Sequence, residues 1–210
     1  MENPDPKERI IKAAQEIFAD KGFKSTTIRE ICKEADVSLA LVNYHFRNKQ
    51  SLYEQIITYS TEKAFFANPP EKYLSEDMTP EEKLRNFIRM LMHILFGENG
   101  LGSSPSSVKL LARELTSPTP VMEKIYADHL SKMIGLMREI VGELISGVDL
   151  TDSVRFASSI AGQCLHPLLA REILAHSGFS MDSSSESIER HAEHIYRFSL
   201  YGIKGYKGVK

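Results

Sequence analysis

Residues 25–49 read STTIREICKEADVSLALVNYHFRNK, and the fold is decided there. Thr27 followed three positions later by Glu30 has the form of a capping box, a hydroxyl for the Glu30 amide and a carboxylate reaching back to the cap. Ile28, Ile31, Cys32 and Ala35 then recur at i, i+3, i+4 and i+7, a single apolar stripe on a short helix. Asp36 and Val37 break the run, and Ser38 is a good N-cap for a second helix reaching about His45. At roughly 1.5 Å per residue that helix is about 12 Å long, close to the width of a B-DNA major groove. With Val42 and Phe46 packed inward, Leu39, Ala40, Asn43, Tyr44 and His45 are left to face outward. An amide, a phenol, an imidazole and small apolar groups suit base edges, thymine methyls and phosphates. The stretch reads as a helix-turn-helix.

Asn48 can cap the next helix, which puts Lys49 in its first turn, where the helix dipole disfavours a cation. A docked anion such as a phosphate would resolve the conflict.

Outward from this stretch, IIKAAQEIFADKGFKSTTIREICKEADVSLALVNYHFRNKQSLYEQII resembles the first helices of the TetR family of bacterial transcription regulators, over residues 5–60. The resemblance implies DNA contacts at Thr26 or Thr27, Arg29, Ser38, Leu39, Ala40, Leu41, Asn43, Tyr44, His45 and Lys49. This chain departs from the family pattern at Asn43, where members often carry tyrosine. A weaker resemblance, carried by Arg113, Glu114, Pro118 and Thr119 within LARELTSPTPVMEKIYADHLSKM, links residues 104–175 to the CecR-like subgroup. Together they imply an all-α fold with residues 1–50 as the DNA-binding domain, a connecting helix at 48–67, and residues 68–210 as a helical ligand-binding and dimerisation domain.

Composition sets looser bounds. With 210 residues, 42% hydrophobic and 26% charged, the chain can build a substantial core. Its net charge of -2 gives no sign of nucleic-acid binding. Locally, Lys21, Lys24, Arg29, Lys33, Arg47 and Lys49 outnumber Glu30, Glu34 and Asp36, a modest positive patch. Cys32 and Cys164 are the only thiols, and the first falls on an apolar stripe, as expected of packed free cysteines in a reducing compartment. No signal-peptide core and no membrane-length apolar run is present, so a cytoplasmic protein without a membrane partner is expected.

Asp5, Pro6 and Glu8 open a first helix that Gly22 and Phe23 close near Lys21. Further helices are expected at Pro80 to Phe96, Ser106 to Leu115, Pro120 to Ile145, Thr151 to His176 with a kink near Pro167, and Ser184 to about Gly202. The tail KGYKGVK reads as frayed.

The C-terminal part offers three candidate sites. Met90, Met122, Met133, Met137, Tyr126, Ile160 and Cys164 would line an adaptable apolar cavity, with His93, Glu114, His129 and His166 to orient an apolar or amphipathic small molecule; the same residues would also serve as plain core. Ile188, Ala192, Ile195 and Ser199 form a stripe suited to a homodimer's helix bundle or to a monomer's interior. His191 and His194 have a spacing a metal could use, but no third ligand is placed, so no metal and no cofactor is expected. No catalytic motif is visible, which excludes the common hydrolase and phosphate-loop classes and points away from an enzyme. The family resemblance implies a homodimeric repressor released from double-stranded operator DNA by a small-molecule effector. The alternative is a helical dimeric interaction module that no longer binds DNA.

Overall fold

The computed structural model describes residues 5–145 and 147–206; the end of the KGYKGVK tail lies outside them. Every regular element among the described residues is helical. Close packing divides the chain into two units, one comprising residues up to Glu62 together with Ser104–Glu123, the other Lys63–Ser103 and Lys124–Lys210.

The first unit is built on α1 (Pro6–Ser25), capped by Asp5, whose carboxylate accepts from the Lys7 amide at 3.2 Å. Gly22 breaks its helical geometry at φ +78°, a conformation that favours glycine, and a further turn follows to Ser25 instead of the expected stop at Lys21. Thr27 and Glu30 close the expected capping box on α2 (Ile28–Ala35). Asp36, in the left-handed conformation, ends that helix, and its carbonyl accepts from Arg9 Nη1 of α1 at 3.4 Å. The Ser38 side chain accepts from the Leu41 amide and starts α3 (Leu39–Phe46). Asn48 accepts from the Ser51 amide at 2.9 Å at the head of α4 (Lys49–Ala67). Ile10, Ala14, Phe18, Ile31, Val42, Phe46 and Leu52 are all buried and form the core that clamps these helices together. The Phe18 ring meets the Tyr53 ring edge-on, centroids 4.9 Å apart.

The second segment of this unit, Ser104–Glu123, lies within the 68–210 stretch that the sequence reading expects to form the other domain. α6 (Pro105–Thr116) packs against α1, because its polar residues find partners there: Gln15 Nε2 donates to Ser107 Oγ at 3.0 Å, and Lys109 pairs with Asp20 at 2.6 Å. α7 (Val121–Ile125) follows.

In the second unit, α5 (Pro80–Phe96) starts from a Thr79–Glu82 capping box and buries Leu84, Phe87, Ile88, Met90 and Met92. It packs against α8 (Ser131–Leu144), α9 (Leu150–Leu169) and, most extensively, α11 (Ser185–Lys204). The single helix expected over 120–145 is interrupted by a π turn at Tyr126–Leu130, where the Ser131 amide reaches back to the Tyr126 carbonyl. The run expected over 151–176 is split at Ala170 into α9 and α10 (Arg171–His176). The break falls three residues after Pro167, whose missing N–H already leaves a gap in the ladder.

The α11 stripe resolves between its two readings. Ile188, Ala192, Ile195 and Ser199 are 1%, 0%, 1% and 6% exposed, turned into the subunit's own interior where α11 packs on α5. They are core residues of one subunit, so the sequence assignment of that stripe to a dimer interface is corrected. Helical period marks a buried face without saying what buries it.

Candidate nucleic-acid interface

The outer face of α3 carries a graded set of side chains. Val42 and Phe46 are buried, as their spacing requires, while Ser38, Leu39, Ala40, Asn43 and Tyr44 are exposed; Tyr44 is 80% open to solvent. Leu41 and His45 are half-buried, the His45 ring lying edge-on to Tyr44 with centroids 5.1 Å apart. Amide, phenol and imidazole thus share one rim of a helix whose opposite rim is locked into the core. Such a rod is rigid because its inward residues have no room to turn.

Arg29 on α2 is exposed beside it, with Lys24 and Lys33. Arg47, part of the local positive patch, joins them although the sequence reading places no contact there. It is exposed at the end of α3 with φ +61° and ψ -50°, a conformation costly for a residue with a Cβ and held by the bond from its amide to the Asn43 carbonyl. Lys21 is engaged with Glu30 at 2.6 Å. That contact, with the Thr27 amide and hydroxyl, holds the Glu30 carboxyl down to about 2.

Two of the expected contact residues stand elsewhere. Thr26 is 1% exposed, its hydroxyl donating to the Gly22 carbonyl at 2.8 Å, so it seals the α1 end, while its neighbour Thr27 is exposed at the cap of α2. Lys49 does resolve the conflict of a cation at a helix start, but with carbonyl oxygens in place of a phosphate. Its ammonium donates to the carbonyls of Phe23 (2.9 Å), Thr26 (2.8 Å) and Lys24 (3.4 Å) and lies 4.6 Å from the centre of the Phe23 ring. Lys49→Ala should therefore destabilise the unit by about 2 kcal/mol, the scale of losing hydrogen bonds from a charged donor, with a lower urea midpoint at unchanged slope.

The candidate effector residues do not converge. Glu114 belongs to the first unit, and Met122 lies in the same segment. The Glu114 carboxylate is buried and accepts from Tyr53 Oη at 2.6 Å and from the Thr119 amide at 3.0 Å. Tyr126 is 53% exposed, and His93 sits against Glu189, Nε2 to Oε1 3.5 Å. The His129 ring stacks on Phe65 at 4.4 Å. Met90, Met133, Met137, Ile160 and Cys164 do share the buried interior of the second unit, where burial pushes the Cys164 thiol up to about 12. His166 instead lines an open groove of about 590 Å³ among α9, α10 and α11, with Gln163, Phe179, His191, His194 and Phe198. Among the described residues no three His, Cys, Asp or Glu side chains gather as a metal would require, and no helix is long and apolar enough to cross a membrane.

Comparison with known proteins bears on both parts of the chain. The profile of bacterial regulatory proteins of the tetR family matches residues 10–56, the helices just described. That of the C-terminal domain of the HTH-type transcriptional dual regulator CecR matches residues 80–203, more than half of the chain. The chain belongs to the TetR family. It is 32% identical to the HTH-type transcriptional regulator UidR of Escherichia coli over 112 residues, which is 52% of either protein. It is 26% identical to YttP of Bacillus subtilis over 137 residues, 65% of this chain and 63% of that one. These matches thus span about half to three-fifths of the relatives' length. The TetR-type fold is shared with a TetR-like transcriptional regulator from Rhodococcus sp. RHA1, at a TM-score of 0.67 and 16% identity over 98% of this chain and all of the other. It is also shared with AibR, crystallised with isovaleryl coenzyme A and operator DNA, at a TM-score of 0.61 and 18% identity over 92% of this chain and 97% of that one.

Proposed function

We propose that the protein is a homodimeric, effector-responsive repressor of the TetR family that lays α3 in the DNA major groove. The observation that carries this reading is the division of α3 into a locked inner rim and an exposed outer rim of Leu39, Ala40, Asn43 and Tyr44. Asn43 and Tyr44 contribute base discrimination with Leu39, Ala40 and His45, while Ser38, Thr27, Arg29 and Arg47 set register on phosphates. Leu41, half-buried, supports the rod from its edge.

One helix of this length reads few base pairs, and a two-fold dimer doubles the site. The face that fits a second copy is the outward side of α9 and α11, where Leu150, Val154, Leu169, Phe198 and Tyr201 remain exposed and Phe198 lines the groove. The effector is an apolar or amphipathic small molecule taken by the methionine-rich interior of the second unit. AibR, of like fold, was crystallised with isovaleryl coenzyme A and operator DNA, which supports a ligand site beside an operator-binding unit in this architecture. Linkage then requires operator to weaken effector binding by the same factor as effector weakens operator binding.

Selection of duplexes from a random library by the full chain tests the proposal. A palindromic sequence is expected, its half-sites about 34 Å apart or a multiple of that. Recovery of unrelated duplexes, with a stoichiometric protein partner captured instead, would favour the interaction module.

A further inference from the structure

α6 lies far from α3 in sequence, yet its polar residues converge on the end of α1. Arg113 Nε donates to the Ala19 carbonyl at 3.1 Å and Nη2 to the Asp20 carbonyl at 2.7 Å. Lys49, at the head of α4, takes the Phe23, Lys24 and Thr26 carbonyls just beyond. Two cations from two other helices thus satisfy the acceptors that the broken end of α1 leaves open. Gly22 lies between them, and a Cβ added there would come 3.0 Å from Arg113 Nη1, so the guanidinium is seated directly over this residue. Glu114 completes the node from the next position on α6. It accepts from Tyr53, one turn along α4 from Lys49, and through its other oxygen from the Thr119 amide. Since only Arg47 and Asn48 separate the end of α3 from Lys49, whatever fixes the head of α4 against the end of α1 also fixes the C-terminal end of α3.

We infer that α6 is a working part of the DNA-reading unit, and that Arg113 and Glu114 are positioning residues for operator recognition. They touch no base; they set the angle at which α3 leaves the core. The pair that carries the weaker sequence resemblance thereby acquires a physical role distinct from effector binding. The inference rests on the DNA-binding reading above, and its experiment separates the two.

The test uses the full chain with Arg113→Gln, Arg113→Lys and Tyr53→Phe. Each is titrated against the duplex the wild type selects, over a range of salt, at a temperature where circular dichroism finds every variant fully folded. Amide exchange is followed in peptides covering residues 18–27 and 38–47. Arg113→Gln should weaken operator binding about tenfold, with faster exchange in both peptides and the wild-type salt slope, because no phosphate contact is removed. Arg113→Lys, which keeps a donor for one carbonyl, should recover most of that loss. Tyr53→Phe, which deletes one hydroxyl without changing shape, should weaken binding severalfold, and it carries the test if Arg113→Gln does not fold. Wild-type affinity in Tyr53→Phe and in any folded Arg113→Gln overturns the inference. A shallower salt slope for Arg113→Gln also overturns it, by making Arg113 a direct phosphate contact. If the wild type selects no duplex, the DNA-binding reading fails, and the positioning claim is judged by exchange alone: unchanged exchange over 38–47 overturns it.

Discussion

Phe46→Ala is expected to destabilise the helix-turn-helix unit by about 3–5 kcal/mol, the range for removing a fully buried phenylalanine from a close-packed core. Phe46 is 1% exposed and stands at the junction of α3 and α4, next to the strained Arg47 and the Asn48 cap. A cavity there loosens both the last turn of α3 and the node around Lys49. Urea denaturation should record the loss as a lower midpoint, and operator binding should disappear with it. Tyr44→Ala gives the contrast two residues away. Tyr44 is 80% exposed and its ring meets the half-buried His45 edge-on outside the core, so stability should stay within about 0.5 kcal/mol while operator affinity falls. Equal stability losses for the two variants would mean that the inner and outer rims of α3 are wrongly assigned.

Phe198→Glu places a carboxylate at an exposed aromatic position on α11, beside the groove. If this face meets its copy across a two-fold axis, two carboxylates are forced together in an apolar interface, which costs several kcal/mol per dimer. Sedimentation equilibrium should then find a monomer at micromolar concentration, with circular dichroism unchanged. Operator affinity should fall on the order of a hundredfold, because linkage between half-sites is lost. The same change at Ile195, 1% exposed, would unfold the subunit instead. A Phe198→Glu variant that remains dimeric would move the interface elsewhere.

The helix-turn-helix was legible in the sequence because its determinants are local. A capping box, an eight-residue apolar period and a serine cap act over a few residues, and each appears in the structure where the chain placed it. What local pattern could not supply was the partner of each group. Thr26 and Thr27 are chemically identical neighbours, and only tertiary packing decides that one closes α1 and the other caps α2. The dipole argument at Lys49 expects a docked anion, and the ammonium is instead taken by backbone carbonyls more than twenty residues upstream, which local pattern does not reveal. Glu114 reads from sequence as a polar group able to orient a ligand, whereas its carboxylate accepts from Tyr53 Oη, on a helix whose neighbours periodicity does not reveal. The α11 stripe likewise marks a buried face without naming what covers it, and the exposed face on the other side carries Phe198 and Tyr201.

Base reading by the outer rim of α3 is measured by titrating wild type and Asn43→Ala, at one fixed salt concentration, against the selected duplex and a scrambled duplex of equal length. The wild type should prefer the selected duplex by about a thousandfold or more, the lower end for specific recognition. Asn43→Ala should lose about 1–3 kcal/mol of that preference with its affinity for the scrambled duplex unchanged. If the wild type binds both duplexes alike, or if Asn43→Ala keeps the full preference, α3 is not the reading element.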